Sequence, residues 1–177
     1  MGKFQRLIDK IYLLFGGAIP FYRKKGMIVG HGCEINKSFN IISEPYLVKL
    51  GDNVRITSGV KFITHDGGLI VARRSEECQK NCKNIKEADK FGRIIVGNNV
   101  HIGVDAILMP GVTVGDNVII GAGAVVTRDI PSNCVAVGVP ARVIKSITQY
   151  VEDNKSSFVY TKSMSYEEKR KYLEKNP

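Results

Sequence analysis

The stretch from Ile94 to Val126, IIVGNNVHIGVDAILMPGVTVGDNVIIGAGAVV, decides the fold. Apolar residues return at every sixth position in it: Val96, Ile102, Leu108, Val114, Ile120 and Val126. A second small or apolar series runs two residues ahead, at Ile94, Val100, Ala106, Val112, Val118 and Ala124, and glycine follows the first series at Gly97, Gly103, Gly115 and Gly121. A helical period of about 3.6 would scatter these positions round a cylinder. Alternation within each unit, restarted every six residues, makes a short strand followed by a turn. Three such faces close a coil, and stacked coils bury the apolar series as internal ladders while their backbones pair above and below. Glycine suits the turns, where a left-handed backbone or a close approach is easiest.

Towards the N-terminus the same phase holds at Leu50, Ile56 and Phe62, with Val48, Val54 and Val60 two residues ahead. An earlier trio, Val29, Ile35 and Ile41, also steps by six but stands three residues out of phase with Leu50, which implies a small insertion near Glu44-Pro45-Tyr46. Between Gly67 and Arg93 the repeat gives way to a charged segment, read as a lid or acceptor-binding arm because long insertions in compact folds tend to be functional. Beyond Pro140, Val143, Ile144, Ile147 and Val151 stand at helical spacing, so a capping helix is expected from about Arg142 to Asn154. Ser165 with Glu168 three residues on forms a capping box for a second helix through Tyr172 and Leu173 to Lys175. The expected organisation is an N-terminal amphipathic helical segment over residues 1–25, an all-β solenoid over 26–141 with the loop 67–93 inserted, and C-terminal helices over 142–177.

The chain of 177 residues is long enough for one domain whose core needs no disulfide or metal. Its 26 Lys and Arg against 17 Asp and Glu leave a formal charge of +9, which favours an anionic partner such as cofactor phosphates, sugar nucleotides or lipid headgroups. No nucleic-acid motif or aromatic platform accompanies the charge, and nucleic acid is not expected as a partner. Cys33, Cys78, Cys82 and Cys134 lack a second Cys/His pair at ligand distance, so they read as free thiols of a reducing cytosol, with no metal site. Phe4, Leu7, Ile8, Ile11, Leu14 and Phe15 lie beside Lys3, Arg6, Asp9 and Lys10 in an amphipathic pattern too interrupted by charge to span a membrane. Such a helix packs on its own protein or touches the inner face of the membrane peripherally.

The run VGNNVHIGVDAILMPGVTVGDNVIIGAGAVVTRDIPSNCVAVGVPARVI resembles the C-terminal signature of hexapeptide-repeat acetyltransferases. It is most similar to the branch holding maltose and galactoside acetyltransferases, xenobiotic acetyltransferases, and the O-acetyltransferases of capsule and lipopolysaccharide synthesis. The resemblance covers roughly Ile28 to Ser146 without the insertion. It implies a left-handed parallel β-helix, a hand that general crossover preferences do not supply. It also implies a homotrimer with acetyl-CoA, as co-substrate, lying between neighbouring subunits, and a sugar or glycan acceptor.

Of His31, His65 and His101, His65 in Phe62-Ile63-Thr64-His65-Asp66-Gly67 matches the family's catalytic histidine. An imidazole there can take the proton from a sugar hydroxyl as that oxygen attacks the thioester carbonyl. Asp66 is a candidate to orient the ring or contact the acceptor. His101 stands where related sugar acetyltransferases often carry tryptophan and reads as a groove wall or acceptor contact, whereas His31 reads as structural. Asn40 lies where relatives place a sugar-contacting asparagine. For acetyl-CoA the family pattern transfers to Gly103 and Val104 near the thioester, Ala122, Thr127 and Arg128 along the pantetheine, and Arg142 at the nucleotide phosphates, where guanidinium pairs well with phosphate.

The function expected is O-acetylation of a sugar, in cell-surface polysaccharide biosynthesis. Alternatives are N-acetylation of an amino-sugar nucleotide, antibiotic O-acetylation, or a non-catalytic trimeric scaffold. A zinc-dependent carbonic anhydrase of this fold would need a histidine five residues after His101, where Ala106 stands.

Overall fold

The computed structural model describes residues 17–176. The amphipathic stretch from Phe4 to Phe15 lies outside the described residues. Within the expected N-terminal segment, helix α1 occupies Ala18–Lys24.

The six-residue period produces three parallel sheets that the chain visits in rotation. The first holds β1 (Ile28–Val29), β4 (Val48–Leu50), β7 (Ile94–Val96) and β10 (Thr113–Val114). In the second lie β2 (Glu34–Ile35), β5 (Arg55–Ile56), β8 (Val100–Ile102), β11 (Val118–Ile120) and β13 (Cys134–Val137). The third contains β3 (Asn40–Ile42), β6 (Lys61–Ile63), β9 (Ile107–Leu108) and β12 (Val125–Val126). Register keeps the apolar series in line: Ile35, Ile56 and Ile102 follow one another in the second sheet, and Ile41, Phe62, Leu108 and Val126 in the third. Val54, Val60, Phe62, Ile94, Ile102, Leu108, Ile120 and Val126 are fully enclosed. Each such side chain contributes about 1.5–3 kcal/mol through burial.

The phase slip after Ile41 is absorbed by a single 3-10 turn, Pro45–Leu47, so the earliest trio joins the same ladders. Beneath that first coil, Tyr22 of α1 stacks edge-on to Phe39 at 5.1 Å, and Phe39 to Phe62 at 5.0 Å. The Tyr22 hydroxyl donates to Phe39 O at 3.1 Å, and burial pushes its pKa above the ordinary phenol value.

The turns divide their work between two residue types. The corner entering the second sheet needs a left-handed backbone, supplied by Asn53, Asn99, Asn117 and Asn133 with φ of 55°, 54°, 54° and 62°. Asparagine tolerates this region better than other non-glycine residues. Their amides also hydrogen-bond up the stack, Asn99 to Asn117 at 2.8 Å and Asn117 to Asn133 at 2.9 Å. Gly103 serves a different need: a Cβ there would lie 2.5 Å from Ala122 N in the next coil.

The expectation of a helix from Arg142 is corrected at its start. Arg142–Ser146 form β14, antiparallel to β13, and the helix, α4, runs only over Ile147–Asn154 (α2 and α3 belong to the inserted arm described below). The exposed edge of β13 offers backbone partners that outweigh the helical spacing of Val143 and Ile144. Two compact units are distinguished among the described residues, dividing after Ile147. In the second, α5 (Tyr166–Lys175) begins with the expected capping box of Ser165 and Glu168. None of the described helices is long and apolar enough to cross a membrane.

Candidate active site

His65 stands just past β6, where the third sheet gives way to the inserted arm. The preceding residue anchors it. Thr64 is completely buried, its hydroxyl donating to Ile42 O at 3.0 Å and accepting from Glu44 N at 2.9 Å. One short side chain thereby ties β6 to the turn after β3 and fixes where the chain leaves the coil.

The arm folds into α2 (Leu69–Arg74), α3 (Glu76–Asn81) and a 3-10 turn, Ile85–Glu87, then returns along the segment it left. Asp66 N donates to Lys90 O at 2.8 Å and Gly92 N to Thr64 O at 2.9 Å, with His65 and Phe91 bridged antiparallel between them. This clamp sets Phe91 against the imidazole, ring centroids 4.8 Å apart and planes 30° from parallel. It also brings Asp89 Oδ1 to 3.4 Å from His65 Nε2. Arg73, on α2, hydrogen-bonds the same Asp89 oxygen and donates through Nε to Ala88 O at 2.8 Å.

Asp66 is engaged by the return segment and by the turn that follows it. Its carboxylate accepts from Lys90 Nζ at 3.2 Å and from Gly68 N at 3.0 Å. The Lys90 ammonium first, and the Gly68 amide second, hold that carboxyl below the usual carboxylate range. The residues that face the imidazole, Asp89 and Phe91, carry no motif and went unrecognised in the charged insertion.

The remaining candidates distribute over two edges of the third sheet. Thr127 and Arg128 follow β12 at the edge where His65 follows β6, two strand spacings or about 10 Å along the stack. Gly103 and Val104 occupy the opposite edge, between β8 and β9. Ala122 lies in the next coil beside them, with Gly123 N donating to Val104 O at 2.7 Å. Arg142 belongs to this second edge, since the adjoining Ala141 N donates to Val125 O at 2.8 Å. Asn40 is exposed on β3, paired with Lys61.

His101 lies in the second sheet, in register between Arg55 and Ile119. With Asn53, Asn99 and Asn117 it lines a groove of about 320 Å³. Burial first, and the Arg55 charge second, lower its pKa from the ordinary imidazole value. His101 belongs to the second sheet, whereas His65 follows a strand of the third. No group of three His, Cys, Asp or Glu side chains suited to a metal assembles among the described residues.

Residues 93–128 match the bacterial transferase hexapeptide (six repeats) family. The chain is 47% identical over 154 residues to Protein CapG of Staphylococcus aureus, covering 85% of this chain and 84% of that protein. It is 42% identical over 129 residues to galactoside O-acetyltransferase of Escherichia coli K12, covering 72% and 59% respectively. Among solved structures, galactoside acetyltransferase in complex with coenzyme A superimposes with a TM-score of 0.59 and 29% identity, over 89% of this chain and 86% of that one. A repeat-built stack of parallel sheets with these relatives identifies the chain as a member of the hexapeptide-repeat acetyltransferase family.

Proposed function

We propose that this protein transfers the acetyl group of acetyl-CoA to a hydroxyl of a sugar, in cell-surface polysaccharide biosynthesis, with His65 as general base. The observation that carries the reading is the setting of His65 at the sheet edge, one ring nitrogen facing Asp89 and the ring face covered by Phe91. The imidazole takes the acceptor's hydroxyl proton as the oxygen bonds to the thioester carbonyl carbon. The tetrahedral adduct then expels the CoA sulfur, which receives the proton from the imidazolium. Backbone N–H groups of the turns are the natural donors to the oxyanion.

A left-handed coil assembled as a homotrimer accounts for the divided cofactor residues. One copy presents His65, Thr127 and Arg128 along one edge and Gly103, Val104, Ala122 and Arg142 along the other. A groove between neighbouring copies pairs unlike edges, so that a single acetyl-CoA can use both sets, with Arg128 and Arg142 serving its phosphates. Asn40, Asp66 and His101 are the acceptor-side candidates, and the basic amphipathic N-terminus suits work beside membrane-held glycan at the cytoplasmic face. The relative named as a galactoside O-acetyltransferase supports a sugar hydroxyl as acceptor.

The test follows release of CoA with a thiol-detecting dye across sugars, nucleotide sugars and glycan fragments. Acceptor-dependent release with a neutral sugar is the expected result. Release only with amino-sugar nucleotides would move the reaction to an amine, and failure to bind CoA at all would leave a scaffold.

A further inference from the structure

The inserted arm carries two of the four cysteines, Cys78 and Cys82, one helical turn apart at the end of α3. We propose that they form a thiol pair that a small anionic disulfide of the glutathione class oxidises to a Cys78–Cys82 bridge, and that the bridge slows acetyl transfer by drawing the arm's return segment off residues 64–66. The second half rests on the reading of this sheet edge as the place of the reaction; the first half does not.

The four thiols differ in what occupies them. Cys33 Sγ donates to Gly51 O at 3.2 Å, and Cys134, which is buried, donates to Pro131 O at 3.1 Å. Among the described residues, Cys78 and Cys82 are engaged through their backbones alone. Ser75 Oγ accepts from Cys78 N at 3.3 Å, and Cys82 N donates to Cys78 O at 2.9 Å. That last bond fixes the spacing. Four residues of α-helix set the α-carbons about 6 Å apart, inside the roughly 4.4–6.8 Å that a disulfide spans. The β-carbons, about 5–6 Å apart at this separation, must close to about 4 Å. Cys82 can make that move, because it is exposed and lies just past the helix in extended backbone, with φ −134° and ψ 102°.

The step balances with one oxidant. The Cys82 thiolate attacks a sulfur of glutathione disulfide and releases one glutathione thiolate. The Cys78 thiolate then attacks the Cys82 sulfur of the mixed disulfide and releases the second. Two thiols give up two protons and two electrons, and one glutathione disulfide takes them up as two thiols. Lys80, Lys83 and Lys86, all exposed, flank Cys82 and attract an anionic disulfide to it.

Cys82 is also the joint between α3 and the return segment. Ile85 N donates to Cys82 O at 3.1 Å, opening the 3-10 turn Ile85–Glu87, and Ala88 N donates to Ile85 O at 3.2 Å. Residues 90–92 then pair with residues 64–66. On its other side α3 is tied to α2 by Gln79 Nε2, which donates to Arg73 O at 2.7 Å. A displacement of about 1–2 Å at Cys82 therefore passes into the return segment.

The test incubates the full-length protein over stepped ratios of glutathione to its disulfide, blocks the remaining thiols and digests without reduction. Trypsin cuts after Lys80, between the two cysteines, so the bridge appears as peptide 75–80 linked to peptide 81–83. Wild type is expected to give that linked pair, with Cys33 and Cys134 recovered as blocked thiols, and Cys82→Ser to give none. Hydrogen exchange in the bridged protein is expected to rise at residues 88–92. With acetyl-CoA and methyl β-galactoside, kcat/KM is expected to fall by about fivefold or more. Both changes should reverse with dithiothreitol, and Cys78→Ser and Cys82→Ser should keep the reduced protein's rate in the presence of oxidant.

Absence of the linked peptides at every ratio, or a bridge that forms only between copies, would overturn the proposal. So would a bridge that leaves exchange at residues 88–92 unchanged, or an equal loss of rate in the two serine variants. A reduced protein that acetylates no sugar would instead count against the proposed reaction, with the linked peptides and the exchange still deciding the thiol pair.

Discussion

Phe91 lies over the His65 imidazole with ring centroids 4.8 Å apart, although 25 residues, two short helices among them, lie between the two in the chain. A ring stacked on the base shields it from water on one face and limits its tilt. Phe91→Ala removes that cover. Aromatic contacts of this kind contribute about 0.5–1.5 kcal/mol, so steady-state kinetics should show kcat reduced by roughly two- to tenfold with acetyl-CoA KM unchanged.

Thr64 is a separate matter of stability. Its buried hydroxyl satisfies two part-buried backbone groups, the Ile42 carbonyl and the Glu44 amide. Thr64→Val keeps the shape and leaves the Glu44 amide without that acceptor. Urea unfolding should register a loss of about 1–3 kcal/mol.

Gly103 meets its limit in the next coil rather than in its dihedral angles. A methyl group would sit 2.5 Å from Ala122 N and 2.7 Å from Gly121 C, both backbone atoms that cannot swing aside. Gly103→Ala should therefore lower the thermal midpoint and, by pushing the two coils apart at the proposed cofactor edge, weaken CoA binding measured by calorimetry.

His101 makes stability depend on pH. Its folded pKa is depressed, by burial first and by Arg55 second, so the unfolded chain binds the proton more readily than the folded one. Above the unfolded value of about 6.5 both states are neutral and the full stability is present. As pH falls through that value and towards the folded pKa, the unfolded state gains protons first and stability is lost. Urea midpoints taken between neutral and mildly acidic pH should fall more steeply for wild type than for His101→Gln.

The coil and its phase were readable because a six-residue repeat leaves its mark on every internal position: Leu50, Ile56, Phe62 and their successors all became ladder residues. Even the three-residue slip declared the turn at Pro45–Leu47. β14 was not readable, since Val143 and Ile144 fit either period and only the edge of β13 selects the strand. Asp89 was hidden for a related reason. It is one of many charges between Gly67 and Arg93, and nothing local distinguishes it until the return segment pairs with residues 64–66. The left-handed asparagines had a signal in the repeated Asp52-Asn53, Asn98-Asn99 and Asp116-Asn117 dipeptides, which a search centred on glycine passes over.

The central claim, that His65 is the base, is tested most directly by single-turnover acetyl transfer in wild type and His65→Ala, with CoA affinity measured on the same preparations. The account predicts a rate lower by roughly 10²–10⁴-fold in the variant and an unchanged dissociation constant for CoA. Equal rates in the two proteins would contradict it.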